Sequence, residues 1–542
     1  MSAPSFLFRM RTGPASRPAE MIGEADQLHR LGRGWVAGLP VDREGRPVDL
    51  ERAAAPDFDP VENAAVQGWW GSFVAISQDK GGRVRAWRDP SGTVPCYYLR
   101  HDDALFLGSE ARALFAVAGK RAVIDRESVG LALRFPDLRS GRTSLEGLRE
   151  LLPGQMCSIE NDGAISLSVS WIEPRWRPLA TAASAAVQRA VFASMAYALR
   201  GTSRPLLQLS GGLDSAIVAA VARSVGRRLT AVNLVTPGPE GDERRFAREI
   251  AAHLGLPLLE REMRVEAVDI LATRAGFLPR PTHRLFAQSM DAAVQHAAAD
   301  LGHDAIMTGG GGDSVFAYLL AGSATADPLS RLALRSTLST ALDEAAIEQL
   351  SCWRILRLAL GHVLRPAHWH ETASHLSPDI LSLPRPDHPW LVAARRWPPG
   401  KRAHLAALVA IQNYLDPFQA MAVPVHFPLL HRPVIGACLA VPTEAWVSGG
   451  RNRAVAREAF ADVLPKSVIR RRSKGTYERF AAQLFERNRS ALRDHLLGGV
   501  LRDLRIVNAS SLDAWFAGQQ PLRSNRMLAL VEAESWCRHW VR

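Results

Sequence analysis

Cysteine is scarce in this chain of 542 residues: Cys96, Cys157, Cys352, Cys438 and Cys537 are widely scattered and form no CxxC pair. That spacing excludes a disulfide framework and a structural zinc site, and it points to a reducing cytoplasm. No apolar run approaches the eighteen or so residues that a membrane-spanning helix needs. The start, Met1-Ser-Ala-Pro-Ser-Phe-Leu-Phe-Arg9, has too short an apolar core for a secretory signal. Lysine is the sharpest deficit. Of 66 basic residues only Lys80, Lys120, Lys401, Lys466 and Lys474 are lysine, so each is a candidate position for a required compact ammonium. The net charge of +12 is spread along the chain, with one short cluster at Arg470-Arg471-Arg472, and reads as solvated surface rather than a nucleic-acid footprint. A composition of 47% hydrophobic and 22% charged residues is that of a soluble globular protein, and the length calls for two domains or three.

The first 170 or so residues read as β-rich. Short strand-like runs at 71–77, 83–87, 97–100 and 104–108 are separated by Gly, Pro and Asp turns, and 156–160 with 164–169 form a hairpin about Asn161-Asp162-Gly163. Pro174-Arg-Trp-Arg-Pro178 ends this pattern, giving a first domain of 1–176 and a second of 177–542 that opens with a helical run over 180–199. From Pro205 the pattern alternates: strand 205–209, helix from 216, strand 229–235, helix 242–254, strand 256–260, helix 288–301, strand 304–307. That order predicts a parallel sheet with helices on both faces and ligands at the carboxyl ends of its strands. Beyond 329 the chain reads as mostly helical.

Ser210-Gly211-Gly212-Leu213-Asp214-Ser215 lies between the first of these strands and its helix. Two glycines let the backbone approach phosphate oxygens, and successive N–H groups at a helix start favour an anion. The hydroxyls of Ser210 and Ser215 add donors, and Asp214 is a ligand for Mg²⁺ bridging phosphates. A Walker A loop is excluded, because no Gly-Lys followed by Ser or Thr is present here. Thr308-Gly309-Gly-Gly-Gly312-Asp313-Ser314 follows a later strand and so belongs at the same sheet edge, with Asp313 as a second carboxylate for Mg²⁺. The nucleotide-binding candidates are Ser210, Gly211, Gly212, Asp214, Ser215, Val232, Thr308 and Gly309. The third constellation, Arg472-Ser473-Lys474-Gly475, places a rare lysine where it can neutralise charge on the α-phosphate and the acyl group as the bond forms. Lys474, Asp214 and Asp313 are the catalytic candidates. His362, His368, His370 and His375 cluster, but no cysteine or paired acid accompanies them at a metal-binding spacing, which favours surface or peptide-contact histidines.

An SGGLDS loop, a glycine run ending in Asp and an RxK motif, in this order, resemble the asparagine synthetases and β-lactam synthetases. Gly71-Ser-Phe-Val-Ala-Ile, Arg88-Asp-Pro-Ser-Gly92, Pro95-Cys-Tyr-Tyr98, Ser109-Glu110-Ala-Arg-Ala-Leu114 and Leu152-Pro-Gly154 resemble the signatures of that superfamily's glutamine amidotransferase domain. The resemblance implies an α+β amidotransferase-like domain (an Ntn-type β-sandwich), then an α/β PP-loop domain of the ATP-pyrophosphatase type with a helical C-terminal part. ATP and Mg²⁺ are the implied cofactors. Two departures narrow the choice. Ser2, Ala3 and Pro4 follow Met1 where such glutaminases carry their nucleophilic cysteine, and no cysteine precedes Cys96, so the front domain is expected to release no ammonia. Where asparagine synthetases show a glutamate and β-lactam synthetases a tyrosine, this chain has Gly310.

His388-Pro-Trp-Leu391, Pro399-Gly-Lys401 with His404, Phe427-Pro-Leu-Leu430, and Ser448-Gly-Gly-Arg-Asn-Arg453 running into Ala456-Arg-Glu-Ala459 resemble the macrocyclases of lasso peptide biosynthesis. That resemblance implies closure of an isopeptide ring between a peptide's N-terminal amine and an Asp or Glu side chain. It implies a precursor peptide as substrate and, as partners, a leader peptidase and a leader-recognition protein. The alternatives are a small-molecule amide or β-lactam-type synthetase, an RNA-modifying PP-loop enzyme, and a scaffold without activity.

Overall fold

Alternating apolar and polar residues in the N-terminal third produce two antiparallel sheets laid face to face. A computed structural model of the chain describes every residue except 1–4, 12–19, 23–26, 50–52, 54, 56, 67, 173–181, 237, 239–240, 283, 366–368, 417, 419–420, 473–474, 519–523 and 542. One sheet runs Glu20–Met21, Leu7–Arg11, Ala104–Gly108, Tyr97–His101, Leu148–Glu150. The other runs Ile165–Val169, Gln155–Ile159, Val84–Arg88, Trp70–Gln78, Gly34–Val41, Leu28–Leu31. Phe8, Leu105 and Leu107 from the first meet Val74, Ile76, Ala86 and Cys157 from the second in a dry core. Helix Pro60–Val66 covers the outer face of the second sheet through Val61 and Ala64. Helices Ala111–Ala118 and Arg126–Arg134 cover the outer face of the first. The result is the helix–sheet–sheet–helix layering expected of an amidotransferase-like sandwich. The predicted strands are all present. The four that precede residue 70 were not read from the sequence. The boundary proposed after 176 lies outside the described residues.

The C-terminal part is built on a parallel sheet in the order Leu258–Glu262, Thr230–Val235, Pro205–Gln208, Ala305–Thr308, Val425–His426. Its first four strands and their helices follow the predicted alternation. The fifth, two residues long, lies in the stretch read as helical. Leu207, Leu209, Ala231 and Met307 face one core with helices Ala183–Ala198, Leu213–Ser224 and Arg244–Leu254. On the other face Leu206, Val232, Leu234 and Ile306 join a core that also holds Leu99, Phe106, Leu114 and Leu133 of the N-terminal layers. The two parts therefore share one hydrophobic core.

A buried ionic knot reinforces the seam. Glu150, fully buried, accepts from Arg88 Nη1 at 2.6 Å, Arg139 Nη2 at 2.5 Å, and Arg280. Arg139 also pairs with Asp416 at 2.8 Å, at the end of helix Pro399–Leu415. Burial alone would raise the Glu150 pKa, but the charges of Arg139, Arg280 and Arg88 outweigh it and hold the carboxyl well below the usual range. Among the described residues no helix is long and apolar enough to cross a membrane.

Candidate active site

Strand Pro205–Gln208 is the middle of the parallel sheet. Successive strands build outward from it to one side, then the chain returns to its other side with Ala305–Thr308. This topological switch point opens a crevice at the carboxyl ends of the two strands, and both glycine loops lie there. The first loop is stiff. Gly211 takes φ +81°, and a side chain there would press on the Glu243 carbonyl and the Phe246 Cβ, each 3.0 Å from where its Cβ would sit. Ser210 Oγ and Ser215 Oγ lie 3.1 Å apart, and Ser210 Oγ accepts the N–H of Gly212 at 3.3 Å. Below the loop, Leu209 N–H donates to the Val232 carbonyl at 2.8 Å, while the Val232 side chain points into the shared core. Asn233 Nδ2, buried beside it, donates to the Leu209 carbonyl at 2.8 Å.

The second loop is pressed against the first. A Cβ on Gly309 would fall 2.5 Å from Ser215 N, and one on Gly312 would fall 2.3 Å from Asp214 Cγ. Thr308 Oγ1 accepts the Gly310 N–H at 3.2 Å. Helix Gly312–Val315 then sets Asp313 beside Asp214, and the two carboxylates converge on one nitrogen: Arg453 Nη1 lies 3.0 Å from both Asp214 oxygens and 2.8 Å from Asp313 Oδ1. Oxygen donors arranged about a single cationic point fit a divalent ion shared with phosphate oxygens.

Arg453 was not singled out in the sequence as a site residue, although it ends the Ser448–Arg453 stretch. Its backbone is left-handed, φ 53°, and its guanidinium carbon lies 5.5 Å from the Tyr318 ring centroid. Arg457, buried one turn later, donates to the carbonyls of Asn452, Val468, Ile469 and Arg471. Burial, then the neighbouring Arg453 charge, pulls its pKa down to about 10. Through Arg457 the turn of Arg453 is stapled to Arg471, which donates to the Gly211 carbonyl at 2.9 Å and Glu243 Oε1 at 2.6 Å and lies 3.8 Å from the Phe246 ring centroid. Gly475 N–H donates to the same Glu243 oxygen at 3.2 Å. Arg471 thus anchors the basic segment to the first loop, and Gly475 ties it to Glu243 beside that loop. Lys474 itself lies outside the described residues.

The other quoted motifs build the frame. Trp390 Nε1 donates to the Pro153 carbonyl at 2.7 Å, tying His388-Pro-Trp-Leu391 to Leu152-Pro-Gly154. Lys401, buried, donates to the carbonyls of Leu439, at 2.8 Å, and Val441. His404 Nε2 donates to the Val315 carbonyl at 3.0 Å and so buttresses the short helix that carries Asp313. Phe427 and Leu430 pack on the glycine run. The Phe427 ring carbons lie 2.8 and 2.9 Å from where a Gly310 Cβ would sit, so a neighbouring aromatic fills the space that a side chain at 310 would take.

Of the clustered histidines, His362 Nε2 donates to the Ala321 carbonyl at 3.1 Å and His375 Nδ1 pairs with Ser511 Oγ at 3.0 Å, while His368 lies outside the described residues. Cys96 and Cys157 are buried in the sandwich core, and burial pushes both thiols up, Cys157 to about 12. Neither is placed to serve as a nucleophile.

Comparison with known proteins gives two family matches: residues 186–542 match asparagine synthase, and residues 62–171 match the glutamine amidotransferase domain. The chain is similar to asparagine synthetase [glutamine-hydrolyzing] 1 of Bacillus subtilis (strain 168), at 27% identity over 172 residues, 31% of this chain and 27% of that protein. It is also similar to the tRNA-specific 2-thiouridylase MnmA of Frankia alni, at 35% identity over 124 residues, 20% of this chain and 35% of that protein. The chain thus spans about a quarter to a third of these curated relatives. A solved glutamine-dependent NAD+ synthetase from Acinetobacter baumannii, in complex with ADP, aligns with 29% of this chain and 30% of its own at 21% identity, with a TM-score of 0.20 that carries no weight for fold or function.

Proposed function

Since the chain belongs to the asparagine synthase family, we propose that it is an ATP-dependent, AMP-forming amide ligase whose substrate is a peptide, closing a macrolactam of the lasso type. A side-chain carboxylate of the processed peptide attacks the α-phosphorus of ATP; the bond to pyrophosphate breaks and an acyl-adenylate forms. The peptide's own N-terminal amine then attacks the acyl carbon and AMP leaves with its oxygen. Adenylation is required because a free carboxylate has no leaving group an amine can displace. Ser210 to Ser215 hold the pyrophosphate, with Thr308 and Gly309 at the second edge of the nucleotide, and Val232 fixing the backbone beneath. Asp214 and Asp313 would hold Mg²⁺, which would supply charge neutralisation on the phosphate oxygens. Arg453, on the same carboxylates, adds positive charge at this edge, and Lys474 would offset charge at the reacting centre.

The observation that carries the peptide reading is the apolar wall at Gly310, where Phe427 stands in place of a titratable side chain. A nucleophile that needed a strong dedicated base would be poorly served there. An α-amine, with a pKa of about 7.7–8.0, is already partly free near neutral pH. A peptidase and a leader-recognition protein are the proposed partners, and the compartment is the cytoplasm. The likeness to a tRNA thiouridylase over 20% of the chain favours the RNA reading locally; steep salt dependence of RNA binding would support it. The test is product analysis with ATP and peptides carrying a free amine and one internal Asp or Glu. AMP and pyrophosphate should form together with a peptide lighter by one water. ADP and orthophosphate as primary products would sink the reading.

A further inference from the structure

Phe427 has two neighbours. Its ring fills the flank of Gly310, and it also lines a cavity of about 460 Å³ between the N-terminal sandwich and the edge of the parallel sheet. Leu39, Pro40 and Val41 form one wall, and Leu415, Val425 and Phe427 the other. That volume is ordinary for a site that takes an organic group. Of the polar groups that reach the wall, Arg200 donates to the Gly45 carbonyl, Asp304 accepts the Ser203 N–H, and Tyr197 and His431 are engaged as well. Tyr197 donates to the Leu39 carbonyl at 2.9 Å and accepts the Ser72 N–H at 2.7 Å, and His431 Nδ1 pairs with Ser194 Oγ at 2.7 Å. Burial pulls His426 down to about 4 and His431 to about 3, so these two of the lining histidines are neutral at pH 7. Where Leu39, Val41, Leu415, Val425 and Phe427 face one another beside the neutral His426 and His431, the chamber suits apolar surface.

We infer that this cavity is a subsite for an apolar side chain of the peptide substrate, one that flanks the reacting carboxylate in sequence and enters past Phe427. The inference rests on the peptide-ligase reading. Successive residues of an extended peptide are about 3.3–3.6 Å apart, so a carboxylate held at the second glycine loop brings its neighbours over Gly310. A Cβ at position 310 would press on the Phe427 ring at 2.8 Å, whereas glycine leaves that ring space to turn aside for an entering side chain. Gly310 therefore does more than dispense with a base: it leaves room for the chain.

The test uses the full-length protein, the neutral fluorescent probe N-phenyl-1-naphthylamine, and two synthetic peptides with a free amine and one internal glutamate. One carries phenylalanine beside the glutamate, the other serine. The probe should bind, and the phenylalanine peptide should displace it at a concentration about tenfold to a hundredfold below the serine peptide. The KM for peptide-dependent AMP release should differ by the same ratio. Leu39→Trp and, separately, Val48→Trp narrow the cavity and should weaken probe binding at least tenfold, bringing the KM of the phenylalanine peptide up to that of the serine peptide. Equal displacement by both peptides overturns the proposal, as does unchanged binding in folded Trp variants. Competition in the unaltered protein decides the matter if neither variant folds. Displacement by the phenylalanine peptide without any peptide-driven AMP release would leave the cavity standing and remove the ligase reading instead.

Discussion

Asp214 and Asp313 lie 99 positions apart in sequence yet share one guanidinium nitrogen, so each carboxylate is held in place by the other's partner. Replacing either with Asn keeps the shape and removes half of the charge that would hold the metal. Each variant should lose AMP release by at least about a hundredfold, on the order of 3 kcal/mol of transition-state stabilisation; near-normal turnover in both would remove these residues from the chemistry. Lys474 is tested differently. Arg471 and Gly475, on either side of it in sequence, both bond Glu243. Lys474→Arg preserves charge but brings a bulkier planar fork. It should abolish most ring closure, read by mass spectrometry, while ATP affinity by calorimetry changes little. Cyclisation at nearly the original rate would make the lysine a surface cation.

At the scale of elements, the two glycine loops work as a single unit. Gly309→Ala would drive a methyl to within 2.5 Å of Ser215 N, at the start of helix Leu213–Ser224. Backbone cannot yield as a flexible side chain can, so the phosphate cradle should open: ATP affinity should fall at least tenfold by calorimetry with the melting temperature little altered. An unchanged affinity would mean that the loops move independently. Such loops are legible in a sequence because a strand, its turn and the following helix are written side by side. The helix read from Asp242 starts at Arg244, since the Asp242 carboxylate accepts the Arg244 N–H at 3.0 Å and sets the helix entry. Arg453 appeared in the sequence only as the end of the Ser448–Arg453 motif and Arg471 only as part of a basic cluster; their roles were not legible, because their bonds reach 140 residues to Asp313 and 260 to Gly211. The strand Val425–His426 escaped because two residues carry no periodicity, and with it went the role of Phe427 beside Gly310.

At the scale of the molecule, the knot around Glu150 ties the sandwich to the parallel-sheet part. Glu150→Gln removes the carboxylate that three guanidiniums share, leaving Asp416 to pair with Arg139 alone, and should cost about 3–5 kcal/mol in chemical denaturation. The pH dependence has a definite sign. The folded pKa of Glu150 is depressed, so its contribution is complete above the unfolded value of about 4.3 and is lost as pH falls through the folded one. The stability gap between native protein and Glu150→Gln should therefore narrow as pH is lowered from about 4.3, and a gap that widened would reverse the assignment.

The shared core has a consequence for inheritance. Leu99, Phe106, Leu114 and Leu133 belong to the front layers, yet they bury the same face of the parallel sheet as Leu206, Val232 and Ile306. A front domain whose thiols are all buried can then be indispensable without reacting with anything. A gene shortened to its C-terminal part would encode a protein with an oily flank open to water and prone to clump. Parts can persist in this way whatever their chemistry, because a neighbour has come to lean on their surface. Anyone trimming this protein for use would first have to redesign that flank with polar residues.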